Sequence, residues 1–171
     1  CWKYRYPVGL ITKNSMVLRD LDILQQLASE QLTHVSISLT TLQEDLRRML
    51  EPRTASVQQR LRAIRELSAA GIPVNVMLAP IIPGLTDHEI LPMAKAVAEA
   101  GAISIGYTLV RLNGDIGMIF GDWIKKALPD RAERVLNRIR DCRGGNLHEH
   151  RFHKRMRGEG EIAEMVSRQF K

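Results

Sequence analysis

The sequence is poor in cysteine and in uninterrupted apolar runs, and each shortage removes a class of protein. Only Cys1 and Cys142 occur in 171 residues. They lie far apart with no partner motif, so neither a disulfide framework nor a cysteine-based metal site can be assembled from them. A reducing cytoplasm is the default compartment for such a chain. The longest apolar stretch, Pro73 to Leu85, is interrupted by Asn75, Pro80, Pro83 and Gly84. It falls well short of the roughly 20 residues that span a bilayer, so no membrane segment is expected. The opening Cys1-Trp2-Lys3-Tyr4-Arg5-Tyr6 has no apolar signal core and no small-residue cleavage site, and it reads as a chain entered partway through. Low-complexity segments are missing, and no glycine-rich phosphate fingerprint follows any candidate strand.

What remains is an ordinary globular composition, 44% apolar and 26% charged, which excludes disorder, collagen and a coiled coil. The formal charge of +6 is uneven. Between Arg131 and Lys171 there are eleven Lys or Arg against six Asp or Glu, so an anionic partner is expected to meet the C-terminal part.

Short β-branched apolar runs alternate with helical patterns, the signature of strand–helix units around a parallel sheet. The expected strands are Val8 to Lys13, His34 to Thr40, Val74 to Leu78 and Ile103 to Val110. Between them the spacing predicts a helix from Arg19 to Glu30, with Leu21, Leu24, Leu27 and Ala28 on one face, and a short helix from Gln43 to Leu50 that Pro52 ends. Ser56 is expected to cap a longer helix carrying Leu61, Ile64 and Leu67 inward and stopped by Gly71. After the third strand comes a proline-rich loop, Ala79 to Gly84, and then a capping pattern, Thr86 with Glu89. Trp123 to Leu128, Pro129 to Arg140 and Glu161 to Phe170 read as later helices. The expected architecture is a partial TIM-type (β/α) barrel over residues 1–128, with a helical and basic extension over 129–171. An open Rossmann-type sheet is the competitor, disfavoured by the missing fingerprint.

In strand–helix folds chemistry gathers where strand ends meet the following loops. That selects Lys13, the alternating hydroxyls Ser36, Ser38 and Thr40, the Ala79-Pro80 turn and Arg111. A strand-end lysine faces either water or an anionic ligand, because an unpaired buried ammonium is too costly. Three hydroxyls on one strand face can grip a polar ligand or bond to neighbouring backbone. Glu51-Pro52-Arg53 reads blandly as a surface ion pair at a helix end. His148-Glu149-His150-Arg151-Phe152-His153 invites a zinc reading, but zinc wants a fixed geometry and usually a third or fourth ligand, and the string lies in an irregular basic segment. Arg151, Lys154, Arg155 and Arg157, interleaved with Phe152, suit either phosphate contact or a solvated charge run.

Taken in order, Leu10-Ile11-Thr12-Lys13, Ser36-Ile37-Ser38-Leu39-Thr40-Thr41, Glu51-Pro52-Arg53, Ala79-Pro80-Ile81-Ile82-Pro83-Gly84-Leu85, Tyr107 to Leu112 and the tail Arg151-Phe152 with Arg155-Met156-Arg157-Gly158-Glu159-Gly160 form a series. It resembles the radical S-adenosylmethionine (SAM) superfamily, in the branch related to spore photoproduct lyase and its uncharacterised bacterial group. The resemblance implies a partial barrel, SAM and a [4Fe-4S] cluster as cofactors, a reductant such as flavodoxin or ferredoxin, and a 5′-deoxyadenosyl radical that abstracts hydrogen, in a lyase that acts in DNA repair. The superfamily's C-x-x-x-C-x-x-C cluster motif is absent from this sequence, so its ligands are expected upstream and the chain alone is expected to be inactive.

By the same resemblance Lys13 meets the SAM carboxylate, Ser38 the ribose with Thr40 beside it, and the backbone of Ala79, Pro80 and Ile81 edges the adenine. Arg111, and with it Arg155 and Arg157 in the basic tail, stands toward substrate, while no catalytic residue and no metal ligand is assigned. Nucleic acid is an expected partner of the tail. The tail can instead fold back, with Arg155 and Arg157 pairing to carboxylates such as Glu51. Two other classes stay open: a barrel enzyme forming a Schiff base at Lys13, and a non-catalytic nucleic-acid-binding module.

Overall fold

All four expected strands form, and they pair in chain order. The structure, a computed structural model, describes residues 1–147 and 154–170, without side-chain detail at 154 and 155. Strands β1 (Val8–Thr12), β2 (Thr33–Leu39), β3 (Val74–Ile81) and β4 (Ser104–Leu109) make one sheet in the order β1-β2-β3-β4. The β1/β2 and β2/β3 pairs are parallel, with Thr12 opposite Ile37 and Ser38 opposite Met77. A doubly wound sheet reverses its strand order at a switch point; this one does not.

Helices fill the crossovers: α1 (Leu21–Ser29), α2 (Glu44–Leu50), α3 (Val57–Ala69) and α4 (Ile90–Glu99). Beyond β4 come α5 (Ile116–Ala127), α6 (Pro129–Asp141), the four-residue α7 (Lys154–Arg157) and α8 (Glu161–Arg168). The chain divides into two compact units. The first is Cys1–Leu78 with Pro92–Gly106, and the second is Ala79–Leu91 with the described residues from Tyr107 on.

In the first unit the core is Val35, Ile37 and Leu39 of β2, Val74, Val76 and Leu78 of β3, and Leu24, Leu27, Ala63, Ile64 and Leu67 of the helices, each at most 3% exposed. Successive strand residues point to opposite faces, so the partner set Ser36, Ser38, Asn75 and Met77 occupies the other side of the sheet. Ser56 opens α3 with a full capping box: its Oγ accepts from the Gln59 N–H at 3.2 Å, and the Gln59 side chain accepts from the Ser56 N–H at 2.9 Å.

In the second unit α8 is held to β4 by the Tyr107 ring stacked on Phe170, centroids 4.2 Å apart. Gly158 lets the chain pass between them. Its φ of +74° is one that L side chains resist, and an added Cβ would lie 2.7 Å from Leu109 Cδ1 and 2.9 Å from the Cys142 carbonyl.

Several expected boundaries shift for physical reasons. β1 ends at Thr12 and β2 at Leu39, so Lys13 and Thr40 stand just beyond their strands. The helix expected from Arg19 begins at Leu21. Asn14, whose Oδ1 accepts from Met16 N–H at 3.1 Å, first winds Ser15–Asp20 into a 3-10 turn. β3 continues through the cis Ala79–Pro80 peptide, in place of the expected loop, and the Ile81 carbonyl accepts from Val110 N–H at 2.9 Å. The Thr86–Glu89 capping pattern does not close: Thr86 Oγ1 accepts from Ile82 N–H instead, and Asp87–Glu89 forms a 3-10 turn. α5 starts seven residues before Trp123, hidden in the sequence by Gly117 and Gly121 and by exposed Ile116, Met118 and Ile119. In α3 the inward position belongs to Arg60, 1% exposed, and Leu61 is only half-buried.

Candidate functional site

Lys13 leaves β1 at its C-terminal end, and its ammonium pairs with Glu51 while reaching Thr40 Oγ1 at 3.5 Å. Thr40 Oγ1 donates to the same Glu51 Oε1 at 2.8 Å. The other oxygen, Oε2, accepts from Arg60 at 2.8 Å. Arg60 is held in turn. Its guanidinium donates to the Ser38 carbonyl at 2.9 Å and the Ala55 carbonyl at 3.0 Å, and touches the Thr54 hydroxyl.

The segment carrying Glu51 is gathered from a second side by Arg47, 6% exposed. Arg47 donates to the Glu51 and Thr54 carbonyls at 2.9 and 3.1 Å and pairs with Glu44 at 2.9 Å. Glu44 also accepts the Val57 N–H at 3.1 Å. The expectation that Glu51 lies in a surface ion pair is therefore wrong. Its side chain is 11% exposed, because two buried guanidiniums pull this turn inward, whereas neighbouring Arg53 is exposed. Burial alone would raise the Glu51 carboxyl, but hydrogen bonds from Lys13 and Arg60 outweigh it and hold the group below its ordinary value.

The polar side of the sheet in this first unit continues the site. Ser36 and Ser38 are each 7% exposed and Thr40 is 2% exposed. By register Ser36 sits between Ile11 and Asn75, and Ser38 beside Met77. Asn75 Oδ1 accepts from Ser104 Oγ at 2.6 Å. At Gly106 an added Cβ would come within 3.0 Å of Met77 Sδ, so this part of the face stays shallow. Lys13 and Thr40, singled out in the sequence, are thus brought together, and Ser38 lies two residues before Thr40. Arg60, Asn75 and Ser104 were missed. The signal for Asn75 was a polar residue at the alternate position of an apolar run; for Arg60 it was a cation three residues before Ala63 and four before Ile64 on the buried helix face.

The second unit holds the remaining described candidates. Ala79 and Pro80 are half-buried, and Ile81 is wholly buried, so Ile81 presents backbone rather than an open apolar side chain. Arg111 is exposed, with its guanidinium 3.5 Å from Met156 Sδ. Beneath it Arg143, 3% exposed, donates to the Val110 carbonyl at 2.8 Å. Arg138 pairs with buried Asp87 at 3.1 Å. Arg157 is exposed. The Arg155 side chain, Arg151, Phe152 and the histidines 148, 150 and 153 lie outside the described residues.

Residues 3–97 match the family described as the radical SAM superfamily. The chain belongs to the radical SAM superfamily. Uncharacterised proteins of Mycobacterium bovis and Mycobacterium tuberculosis are each 31% identical to it over 130 residues, covering 75% of this chain and 38% of their own. An uncharacterised protein of Methanocaldococcus jannaschii is 25% identical over 134 residues, 78% of this chain and 49% of its own. This radical SAM chain therefore spans less than half the length of these relatives.

Radical SAM proteins use SAM and a [4Fe-4S] cluster. The residues present do not fit the cluster, whose irons take thiolates. The chain has two cysteines; Cys142 is buried and its thiol is pushed up to about 11 by that burial. Among the described residues no group of three metal-ligating side chains gathers. The strand-end set carries donor types that the polar groups of SAM take, an ammonium and buried hydroxyls. Among the described residues no helix is long and apolar enough to cross a membrane.

Proposed function

We propose that this chain supplies the SAM-holding arc of a (β/α) barrel to a cytoplasmic iron–sulfur enzyme whose cluster ligands lie outside these 171 residues. One observation carries the reading. Lys13 reaches Thr40 at the C-terminal ends of β1 and β2, where the fold class places its chemistry, and buried Ser38 lies two residues before Thr40 in the chain.

SAM held there would supply hydrogen-abstracting chemistry once the cluster delivers one electron to it. The chain's own residues bind and orient it. Lys13 would hold the carboxylate as a point charge, and Ser38 and Thr40 would hold the ribose. The Lys13 ammonium is engaged in an ion pair with Glu51 rather than presented as a free amine, which weighs against a Schiff-base enzyme.

The finer reading is a photoproduct-lyase-like enzyme of DNA repair that draws electrons from a flavodoxin or ferredoxin. The ordered series Thr12-Lys13, Ser38, Glu51-Pro52 and Ala79-Pro80-Ile81 supports it. On that reading Arg111, Arg155 and Arg157 face a nucleic-acid substrate.

Equilibrium dialysis of SAM against full-length protein tests the core of the proposal. Lys13→Ala and Ser38→Ala each weaken binding by roughly 1 to 3 kcal/mol if the hydrogen bond is charge-assisted or buried. Unchanged affinity in both variants refutes it. For the tail, replacing Arg151, Arg155 and Arg157 by Ala flattens the double-logarithmic salt dependence of DNA binding by about 0.9 for each phosphate that these arginines neutralise; an unchanged slope makes their role structural.

A further inference from the structure

We propose that Glu51 and Arg60 are positioning residues for Lys13: the buried guanidinium fixes the carboxylate, and the carboxylate fixes the ammonium where a ligand carboxylate meets it. This rests on reading Lys13 as the carboxylate contact for SAM. Three features of the cluster support it.

The two oxygens of Glu51 are divided between two tasks. Oε2 faces Arg60, and Oε1 faces Thr40 and Lys13. Arg60 cannot follow a moving ligand, because it is 1% exposed and also tied to the Ser38 and Ala55 carbonyls. Lys13, with four rotatable side-chain bonds and its side chain 34% exposed, is the adaptable member. Glu51 therefore links a rigid anchor to a mobile cation.

Charge decides what this anchor is for. Lys13 and Glu51 alone would sum to zero and leave no net attraction for an anion. With Arg60, and with Arg47 and Arg48 both on Glu44, the cations of the cluster outnumber its two carboxylates. The cluster keeps a positive surplus. An incoming carboxylate meets that surplus, and a ligand without that group gains nothing from it.

The test uses full-length protein and two probes that share adenine and ribose. S-adenosylhomocysteine carries the amino-acid carboxylate, whereas 5′-methylthioadenosine lacks it. Calorimetric titration is run on the wild type, Lys13→Ala, Glu51→Gln and the double variant, with circular dichroism confirming that each folds. Glu51→Gln is expected to weaken S-adenosylhomocysteine about tenfold, to change 5′-methylthioadenosine by less than about twofold, and to add no further loss when Lys13 is already Ala. Glu51→Asp, which keeps the charge but withdraws the carboxylate by one methylene, is expected to show the same selective loss and serves if the glutamine variant does not fold.

Equal weakening of both probes, or losses that simply add to those of Lys13→Ala, would mean that Glu51 only maintains the fold and overturns the inference. If Lys13→Ala weakens S-adenosylhomocysteine while Glu51→Gln leaves it unchanged, the inference fails and the SAM reading stands. If Lys13→Ala itself binds S-adenosylhomocysteine as the wild type does, the SAM reading fails and takes the inference with it.

Discussion

The guanidinium of Arg60 donates to Glu51 Oε2 at 2.8 Å from a position 1% exposed to solvent. It thereby ties α3 to the turn that follows α2. Removing one member of a buried pair leaves the other uncompensated, a loss of about 3 to 5 kcal/mol, whereas exposed pairs contribute about 0 to 1 kcal/mol. Arg60→Met is expected to fall in the first range and Lys126→Met, which removes the exposed pair to Asp122, in the second. Urea denaturation monitored by circular dichroism measures both. Similar midpoints for the two variants would contradict the buried assignment.

Acid should weaken this cluster selectively. The Glu51 carboxyl is pushed up by burial and pulled further down by Lys13 and Arg60, and it ends below its ordinary 4.5. A folded value below the unfolded one gives stability that is fully present above the unfolded value and is lost as pH falls through the folded value. The difference in unfolding free energy between the wild type and Glu51→Gln is therefore expected to be largest near neutrality and to shrink below pH 4.5. A difference that stays constant from neutral to strongly acidic pH would show that the carboxylate charge is not what stabilises the turn.

The capping box of α3 offers a cleaner local test. Ser56→Ala removes the acceptor of the Gln59 N–H, and loss of an N-cap of this kind costs about 0.5 to 2 kcal/mol. Ser56→Asp, which restores an acceptor at the helix N-terminus, is expected to recover most of it in the same thermal melt.

In the second unit Gly158→Ala combines a strained φ of +74° with a Cβ 2.7 Å from Leu109 Cδ1 and 2.9 Å from the Cys142 carbonyl. The expected destabilisation is about 1 to 3 kcal/mol. A thermal melt like that of the wild type would mean that the tail can leave β4 at no cost.

Thiol reactivity should separate the two cysteines. Cys1 is exposed, while Cys142 is buried and its thiol stands at about 11. In mildly alkaline buffer an aromatic disulfide reagent is expected to titrate one thiol in the folded chain and two in urea. Two fast-reacting thiols in the native protein would contradict the burial of Cys142.

Much of the scaffold was legible because its signals are local. Alternating Val35, Ile37 and Leu39, the run from Val74 to Leu78, the Ser56 cap and Pro129 at the start of α6 each depend on neighbours within a few residues, and each produced the expected element. Radical SAM membership was legible for a related reason, since the ordered strand-end motifs lie within single strands or turns.

What the sequence could not decide is everything set by partners distant along the chain. Glu51 reads as a surface acid until α3 brings Arg60 against it and β1 brings Lys13. Arg60 is not singled out in the sequence, and only the fold surrounds it with the Ser38 and Ala55 carbonyls. Asn75 reads as a blemish in an apolar strand until Ser104, from another strand, bonds to it. The physical reason is common to all three. A polar group is tolerated inside only when its hydrogen bonds are satisfied there. The groups that satisfy these three include partners up to 38 residues away in the chain, which no local pattern of apolar and polar residues encodes.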